Sequence, residues 1–283
     1  MIRTFSKILV SKPTIEGAGV RLKRGFEDIS KDFDPFLLFD DFSGEHEEDY
    51  AAGFPGHPHR GMETVTYILE GTVRHRDSLG NEGFIGAGDI QWMNAGSGIL
   101  HEEMPETRDV KEGIKGFQLW VNLPRAKKML PPQYRDIKSS EVPVVARDGV
   151  IVRVLGGSYE GTTGPVAEVT VPVTYLDVSM ESDRSFSCHA KYTDTLFVYV
   201  LEGALVCYAE DNKSEQWVSA GSVALTQKGN TLTVKTGTSH ARFLMIAGTP
   251  LEEPVAWRGP IVMNTEEEIQ TAFAELQNGT FVK

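Results

Sequence analysis

The chain has 283 residues, 40% of them hydrophobic, with 28 Lys and Arg against 40 Asp and Glu, a net charge of -12 and a pI near 5.1. That length suits one large or two ordinary domains, each with its own core, and the acidic balance argues against phosphate backbones or anionic membranes as general partners. There is no Lys/Arg-rich run, no apolar signal region and no apolar stretch of membrane-spanning length, and Cys188 and Cys207 lack zinc-type spacing, so the sequence predicts a soluble cytoplasmic protein with reduced thiols and no direct nucleic-acid or membrane partner.

From the start, residues 1–20 read as short strands broken at Pro13 and Gly17. Residues 21–53 carry several Phe and an acidic run, 45–49, that contains His46 and reads as a solvated loop. Phe54-Pro55-Gly56 then supplies apolar bulk and a turn ahead of His57-Pro58-His59-Arg60-Gly61-Met62-Glu63. Residues 63–69 are rich in Thr, Val, Tyr and Ile, Glu70-Gly71 turns, and Gly80, Gly83, Gly86 and Gly88 punctuate short runs. The stretch closes on Gly96-Ser97-Gly98-Ile99-Leu100-His101-Glu102-Glu103. This is the pattern of a small antiparallel barrel.

Successive side chains of a strand point to opposite faces, so His57 shares a face with His59, and His101 with Glu103. Where two such strands meet, three imidazoles and a carboxylate converge on a point suited to a divalent first-row ion. Strand parity also places position 63 with 57 and 59, which keeps Glu63 as a neighbouring carboxylate or base. Four protein ligands on an ion that prefers six leave positions for substrate and dioxygen, as a catalytic site requires and a structural one does not. Gln118 and Asn94 are candidate donors to groups around such a site.

The pattern His57-x-His59-x3-Glu63, with Gly88-Asp89 ahead of His101, resembles the two signature motifs of the cupin superfamily. More narrowly, His57-Pro58-His59-Arg60-Gly61, Tyr67-Ile68-Leu69-Glu70-Gly71 and Gly88-Asp89-Ile90-Gln91-Trp92-Met93, followed by Gly96-x-Gly98-Ile99-Leu100-His101-x-Glu103, resemble the pirin family. The likeness continues in Phe39-Asp40-Asp41-Phe42, in residues 118–124 and in Met263-Asn264-Thr265, and so covers most of the chain. The resemblance implies an all-β fold of two cupin (double-stranded β-helix or jelly-roll) barrels in tandem, with one metal in the N-terminal barrel. It implies Fe(II), or Mn, Co, Ni, Cu or Zn in its place, on His57, His59, His101 and Glu103. Most cupins use the Glu four residues after the second His, which nominates Glu63; pirins use the Glu two residues after the third, here Glu103. The implied activity is quercetin 2,3-dioxygenase: a flavonoid such as quercetin and O2 are the substrates, carbon monoxide is released, and Glu103 or Glu63 is the base. The alternative is a metal-dependent, redox-switched module that binds a protein partner without turnover, in line with the association of mammalian members with transcriptional co-regulation. A cupin-type sugar isomerase is disfavoured, since the sequence has no phosphate-binding loop.

Beyond the site, residues 116–123 form one more apolar strand that Pro124 ends, and residues 127–143, rich in Lys, Pro and Ser, lack periodicity. The expected organisation is an N-terminal cupin domain over 1–130, a linker over 131–143 and a C-terminal cupin domain over 144–283. The second half repeats the first. At a constant offset of 132, Tyr199, Leu201, Glu202 and Gly203 fall under Tyr67, Leu69, Glu70 and Gly71. At that offset His189 falls under His57, but Lys191 under His59 and Thr195 under Glu63, so the second site is expected to be degenerate. His240 is out of register with His101. Finally, Thr265-Glu266-Glu267-Glu268 is a capping box, Ile269, Ala272, Phe273 and Leu276 follow at helical spacing, and Asn278-Gly279 supplies the stop of a short C-terminal α-helix.

Overall fold

The structure, a computed structural model, describes residues 1–27, 31–106, 113–166, 170–208 and 214–283. Strands dominate it, and among the described residues the longest helix is Glu266–Asn278. The chain divides into two compact units, each a cupin barrel built from a larger and a smaller, mainly antiparallel sheet. One comprises Lys12–Lys31, Phe36–Ser139 and Leu251–Lys283; the other comprises Met1–Ser11, Asp32–Pro35 and Ser140–Pro250.

In the first of these units the seven-stranded sheet runs in the order Gln133–Ile137, Ile90–Asn94, Met62–Glu70, Lys115–Asn122, Phe36–Asp41, Val20–Glu27, Lys12–Glu16. The four-stranded sheet runs Phe54–His59, Ile99–Pro105, Val73–Asp77, Glu82–Ile85. Met62–Glu70 is covered on both faces, with its first seven residues buried, which explains its β-branched and aromatic content. Ile68 and Leu22 from the large sheet meet Val73 and Ile85 from the small one in a shared core, where each fully buried aliphatic side chain contributes about 1.5 to 3 kcal/mol.

The other unit repeats this plan. Thr195–Glu202 lies central in a seven-stranded sheet, as Met62–Glu70 does, and Ser185–His189 pairs antiparallel with Thr231–Lys235, as Phe54–His59 pairs with Ile99–Pro105. Its core joins Val198, Met245 and Phe243 of the large sheet to Leu205, Leu232 and Val234 of the small one. Both cysteines are free and buried in it.

Two features differ from the sequence reading. The units do not part at 131–143: Gln133–Ile137 is an edge strand on Ile90–Asn94, and Leu251–Lys283 belongs with the first barrel, while Met1–Ser11 belongs with the second. An edge strand needs only a backbone partner on one side, so Lys- and Pro-rich flanks conceal it. Second, the register of the repeat slips. His189 opposes Thr231 and Ser187 opposes Thr233, just as His59 opposes Ile99 and His57 opposes His101. His189 is therefore the counterpart of His59 and Ser187 that of His57, while Lys191 lies beyond the strand, exposed.

The C-terminal helix forms as its sequence dictates. Thr265 Oγ1 accepts from the Glu268 amide, the Glu268 carboxylate accepts from the Thr265 amide, and Gly279 closes the helix in the left-handed region at φ 71°. Its buried residues, Ile269 and Ala272, join Ile261, Met263 and Phe281 in a small core within the first unit. No helix among the described residues is long and apolar enough to cross a membrane.

Candidate metal centre

The pairing of Phe54–His59 with Ile99–Pro105 sets His57 directly opposite His101. Ring centroids lie 4.3 Å apart for His57 and His101, 4.8 Å for His57 and His59, and 5.0 Å for His59 and His101. One nitrogen from each ring lies within 4.8 Å of the others. Among the described residues no other set of three His, Cys, Asp or Glu donors gathers this closely. His59 and His101 are almost wholly buried, at 1% and 2% exposure.

Hydrogen bonds hold two of the three rings. His57 Nδ1–H donates to the Pro55 carbonyl at 3.1 Å and His59 Nδ1–H to the Pro260 carbonyl at 3.2 Å, which leaves each Nε2 as an acceptor. Both nitrogens of His101 are buried without a hydrogen-bond partner, an arrangement that costs stability unless a cation takes a lone pair. Burial, then the neighbouring His57, pushes the His59 pKa down to about 3. Burial, then His59, His57 and His75, holds His101 well below its ordinary value. Burial thus favours neutral imidazoles at His59 and His101, and the gathered donor set fits a borderline first-row divalent ion.

The carboxylates are placed differently from the imidazoles. Glu103 is buried on the same face as His101, but a bulge between them brings Glu103 opposite Phe54. Its Oε1 accepts from Thr66 Oγ1 and its Oε2 from Gln118 Nε2, both at 3.0 Å, and it is not part of the three-histidine group. Gln118 Oε1 in turn accepts from Trp120 Nε1 at 3.0 Å, and the Trp120 ring meets His59 edge to face at 5.0 Å. Glu63 also stands outside the group. Its carboxylate accepts from Trp92 Nε1 at 3.2 Å and Asn94 Nδ2 at 3.0 Å within the large sheet. Strand parity fails to carry it to the histidines because the chain turns at Gly61, where φ is 78° and a Cβ would lie 1.9 Å from the Val262 carbonyl oxygen. Of the two amides considered from sequence, Gln118 serves Glu103 and Asn94 serves Glu63.

Sequence reasoning missed His75. It lies on Val73–Asp77, directly opposite Glu103, fully buried, with its ring 5.3 Å from that of His101 and stacked at 4.4 Å on Tyr134. His75 Nε2 meets Asp77 Oδ2 at 3.3 Å. The signal was available: Val73 and His75 alternate with Arg74 and Arg76, so His75 shares the inward face of its strand.

A cavity of about 400 Å3 opens onto His57 and His59, within the range of small-molecule sites. Trp120, Trp257, Phe54 and Leu38 give it an apolar lining, and Glu16, Arg24, Glu27 and Asp40 give it charge. Trp257 and Pro260 come from the C-terminal segment.

Comparison with known proteins places this geometry in a family. The model described as Pirin matches residues 18–121, and that of the Pirin C-terminal cupin domain matches residues 175–282. A Pirin-like protein from Caulobacter vibrioides is 45% identical over 284 residues, 99% of each chain. The crystal structure of a quercetin 2,3-dioxygenase from Acinetobacter baumannii superposes with a TM-score of 0.89 at 31% identity, covering all of both chains. A bacterial pirin from Escherichia coli, solved in complex with nickel(II), has a TM-score of 0.63 at 20% identity over 86% of this chain and 99% of its own. At that identity the last likeness speaks for the fold alone.

Proposed function

This chain belongs to the pirin family, and from that premise we propose that it is a metal-dependent dioxygenase of the quercetin 2,3-dioxygenase type. It adds both atoms of dioxygen to a flavonol, opens the heterocycle and releases carbon monoxide. The observation that carries this reading is the buried, partnerless His101 gathered with His57 and His59, the latter two lining a cavity sized for a small aromatic molecule.

Fe(II) would be held by His57, His59 and His101, with Glu103 as the fourth protein ligand. When bound, such an ion supplies a Lewis-acidic centre for the deprotonated flavonol hydroxyl and for dioxygen. Carbonyls of Pro55 and Pro260 keep two of the rings in the tautomer that presents Nε2. Glu103 is the base that takes the flavonol hydroxyl proton, and its bonds to Thr66 and Gln118 fix the direction in which its free lone pairs point. Glu63, tied by Trp92 and Asn94 inside the large sheet, holds those strands together. Trp120 and Trp257, 5.9 Å apart, offer ring faces to a planar substrate, since the indole N–H groups are already given to Gln118 and Gly259. The reading includes a cytoplasmic location, which two buried free thiols support.

The test is metal analysis of protein purified without a chelating tag, then oxygen uptake and carbon monoxide release with quercetin under anaerobically loaded Fe, Mn, Co, Ni and Cu. About one ion per chain and turnover with at least one metal are expected. Full metal occupancy with no turnover under any of them would refute the enzyme reading and favour the protein-binding module.

A further inference from the structure

The cavity above the histidines carries an unusual balance of charge. Arg24 is the one Lys or Arg among its described lining residues, and its guanidinium is almost fully committed. Nε and one terminal nitrogen bind the two oxygens of Asp40 at 2.9 Å each, the other terminal nitrogen binds Glu27 at 2.8 Å, and Glu16 lies 3.0 Å from the guanidinium. Such a bidentate pair with two further carboxylates leaves little for a ligand to gain from the cation. One positive charge, Arg24, stands against three negative ones, Glu16, Glu27 and Asp40, so the charged lining is net negative. The side chains of Glu16 and Glu27 are 42% and 48% exposed, so each keeps acceptor capacity toward the cavity, whereas Asp40 at 9% is consumed by the pair.

We propose that Glu16, Arg24, Glu27 and Asp40 form a charge filter that sets the specificity of this cavity. It passes uncharged aromatic molecules that carry hydroxyl donors and rejects aromatic molecules that carry a carboxylate. The reason is an asymmetry. A hydroxyl-bearing ring can donate to the outward oxygens of Glu16 and Glu27, and such bonds to charged acceptors are the stronger kind. A carboxylate at the same place would face two like charges with the neighbouring cation already neutralised, and like-charge juxtaposition is how sites discriminate against wrong ligands. The aromatic residues Trp120 and Trp257 serve both classes of ring equally, so the choice between them rests on the glutamates. This inference rests on the flavonol reading and adds to it the residues that select the substituents.

The experiment is equilibrium binding, followed by quenching of tryptophan fluorescence, with protein loaded with Zn(II) so that redox turnover does not intervene. Three probes share one metal-binding end: a flavonol with two hydroxyls on its outer ring, the same flavonol with none, and the same flavonol with a carboxylate there. The dihydroxylated probe is expected to bind roughly tenfold more tightly than the unsubstituted one, and the carboxylated probe roughly tenfold more weakly. In the Glu16→Gln, Glu27→Gln double variant both ratios should fall toward one. High salt should shrink the rejection of the carboxylated probe by the unaltered protein, because half-exposed charges are screened, and this arm needs no variant to fold. Equal binding of all three probes, failure of all three to bind, or unchanged ratios in a folded double variant overturns the filter. Ordered binding of the probes without oxygen uptake by the Fe(II) protein upholds the filter and refutes the dioxygenase instead.

Discussion

Replacing Lys128 with Met should change not only the stability of the metal-bearing barrel but the way that stability depends on pH. Lys128 is buried at 1% exposure, and its Nζ donates to the Gly61 carbonyl at 2.7 Å, Asn122 Oδ1 at 2.6 Å and the Val262 carbonyl at 3.1 Å. It thereby fastens the turn that follows His59 to the C-terminal segment. Burial pushes its pKa down from 10.5 to about 7, against the pull of Glu253 and Glu268. Between these two values the unfolded chain holds a proton that the folded chain does not, so stability rises with pH across the window, the reverse of the usual lysine case. Working the linkage through gives a rise of about 3 kcal/mol between about pH 7 and about pH 9.5. In Lys128→Met that contribution vanishes, while in the pH range where the amine is neutral and keeps two N–H groups the loss of those two donors to buried acceptors costs on the order of 2 kcal/mol. Urea unfolding followed by tryptophan emission suits the test, because Trp92, Trp120 and Trp257 share this unit. The gap between the two proteins should widen as pH rises. Identical pH slopes for both would refute the picture of a lysine that gives up its proton on burial.

Three further outcomes follow from the same geometry. His101→Ala and His59→Ala should each abolish stoichiometric metal binding while circular dichroism shows a folded chain; retained full metal content in both variants would sink the three-histidine assignment. Gly61→Ala should destabilise by on the order of 3 kcal/mol or more, since its positive φ and the 1.9 Å approach of the Val262 oxygen leave no room for a Cβ; thermal melting decides it. His189→Ala should leave metal content and any dioxygenase rate unchanged, because His189 is an exposed residue bonded to Thr231, and a loss of either in a folded variant would show that the second barrel contributes to the site.

How much of this could be read from the sequence depends on whether the determining contacts are local. The capping box at Thr265 and Glu268 is written within four residues and appears as expected. Repetition of the strand around Tyr67 in the strand around Tyr199 exposed the two-barrel plan, because a repeat carries its register with it. The three histidines were legible because alternation along a strand is a local rule, and the pairing of His57 with His101 then follows from one antiparallel contact. What escaped was decided elsewhere. The turn at Gly61 broke the parity that would have carried Glu63 to the histidines, since a single left-handed residue resets which face comes next. The slip that puts His189 under His59 rather than His57 is fixed by ladder hydrogen bonds to Thr231–Lys235, which no count along the chain reveals. His75 went unnoticed for want of a second histidine beside it, although its strand alternates as clearly as the others. The assignment of Leu251–Lys283 to the first barrel rests on pairings such as Arg60 with Ile261, separated by some two hundred residues.

That last assignment has a consequence for the order of events during synthesis. The Pro260 carbonyl that orients His59, the Val262 carbonyl that accepts from Lys128, and the Phe281 carbonyl and Glu275 carboxylate that receive Arg60 all lie in Leu251–Lys283. A ribosome makes the chain from its N-terminal side, so the barrel that begins to emerge early stays without its closing pieces until residues 251–283 have been made. Its nascent form has His59 unaligned and the cavity without Trp257. Metal capture in the productive geometry is thereby deferred until residues 251–283 are made, and a product stalled or truncated before them would expose histidines but not a working centre.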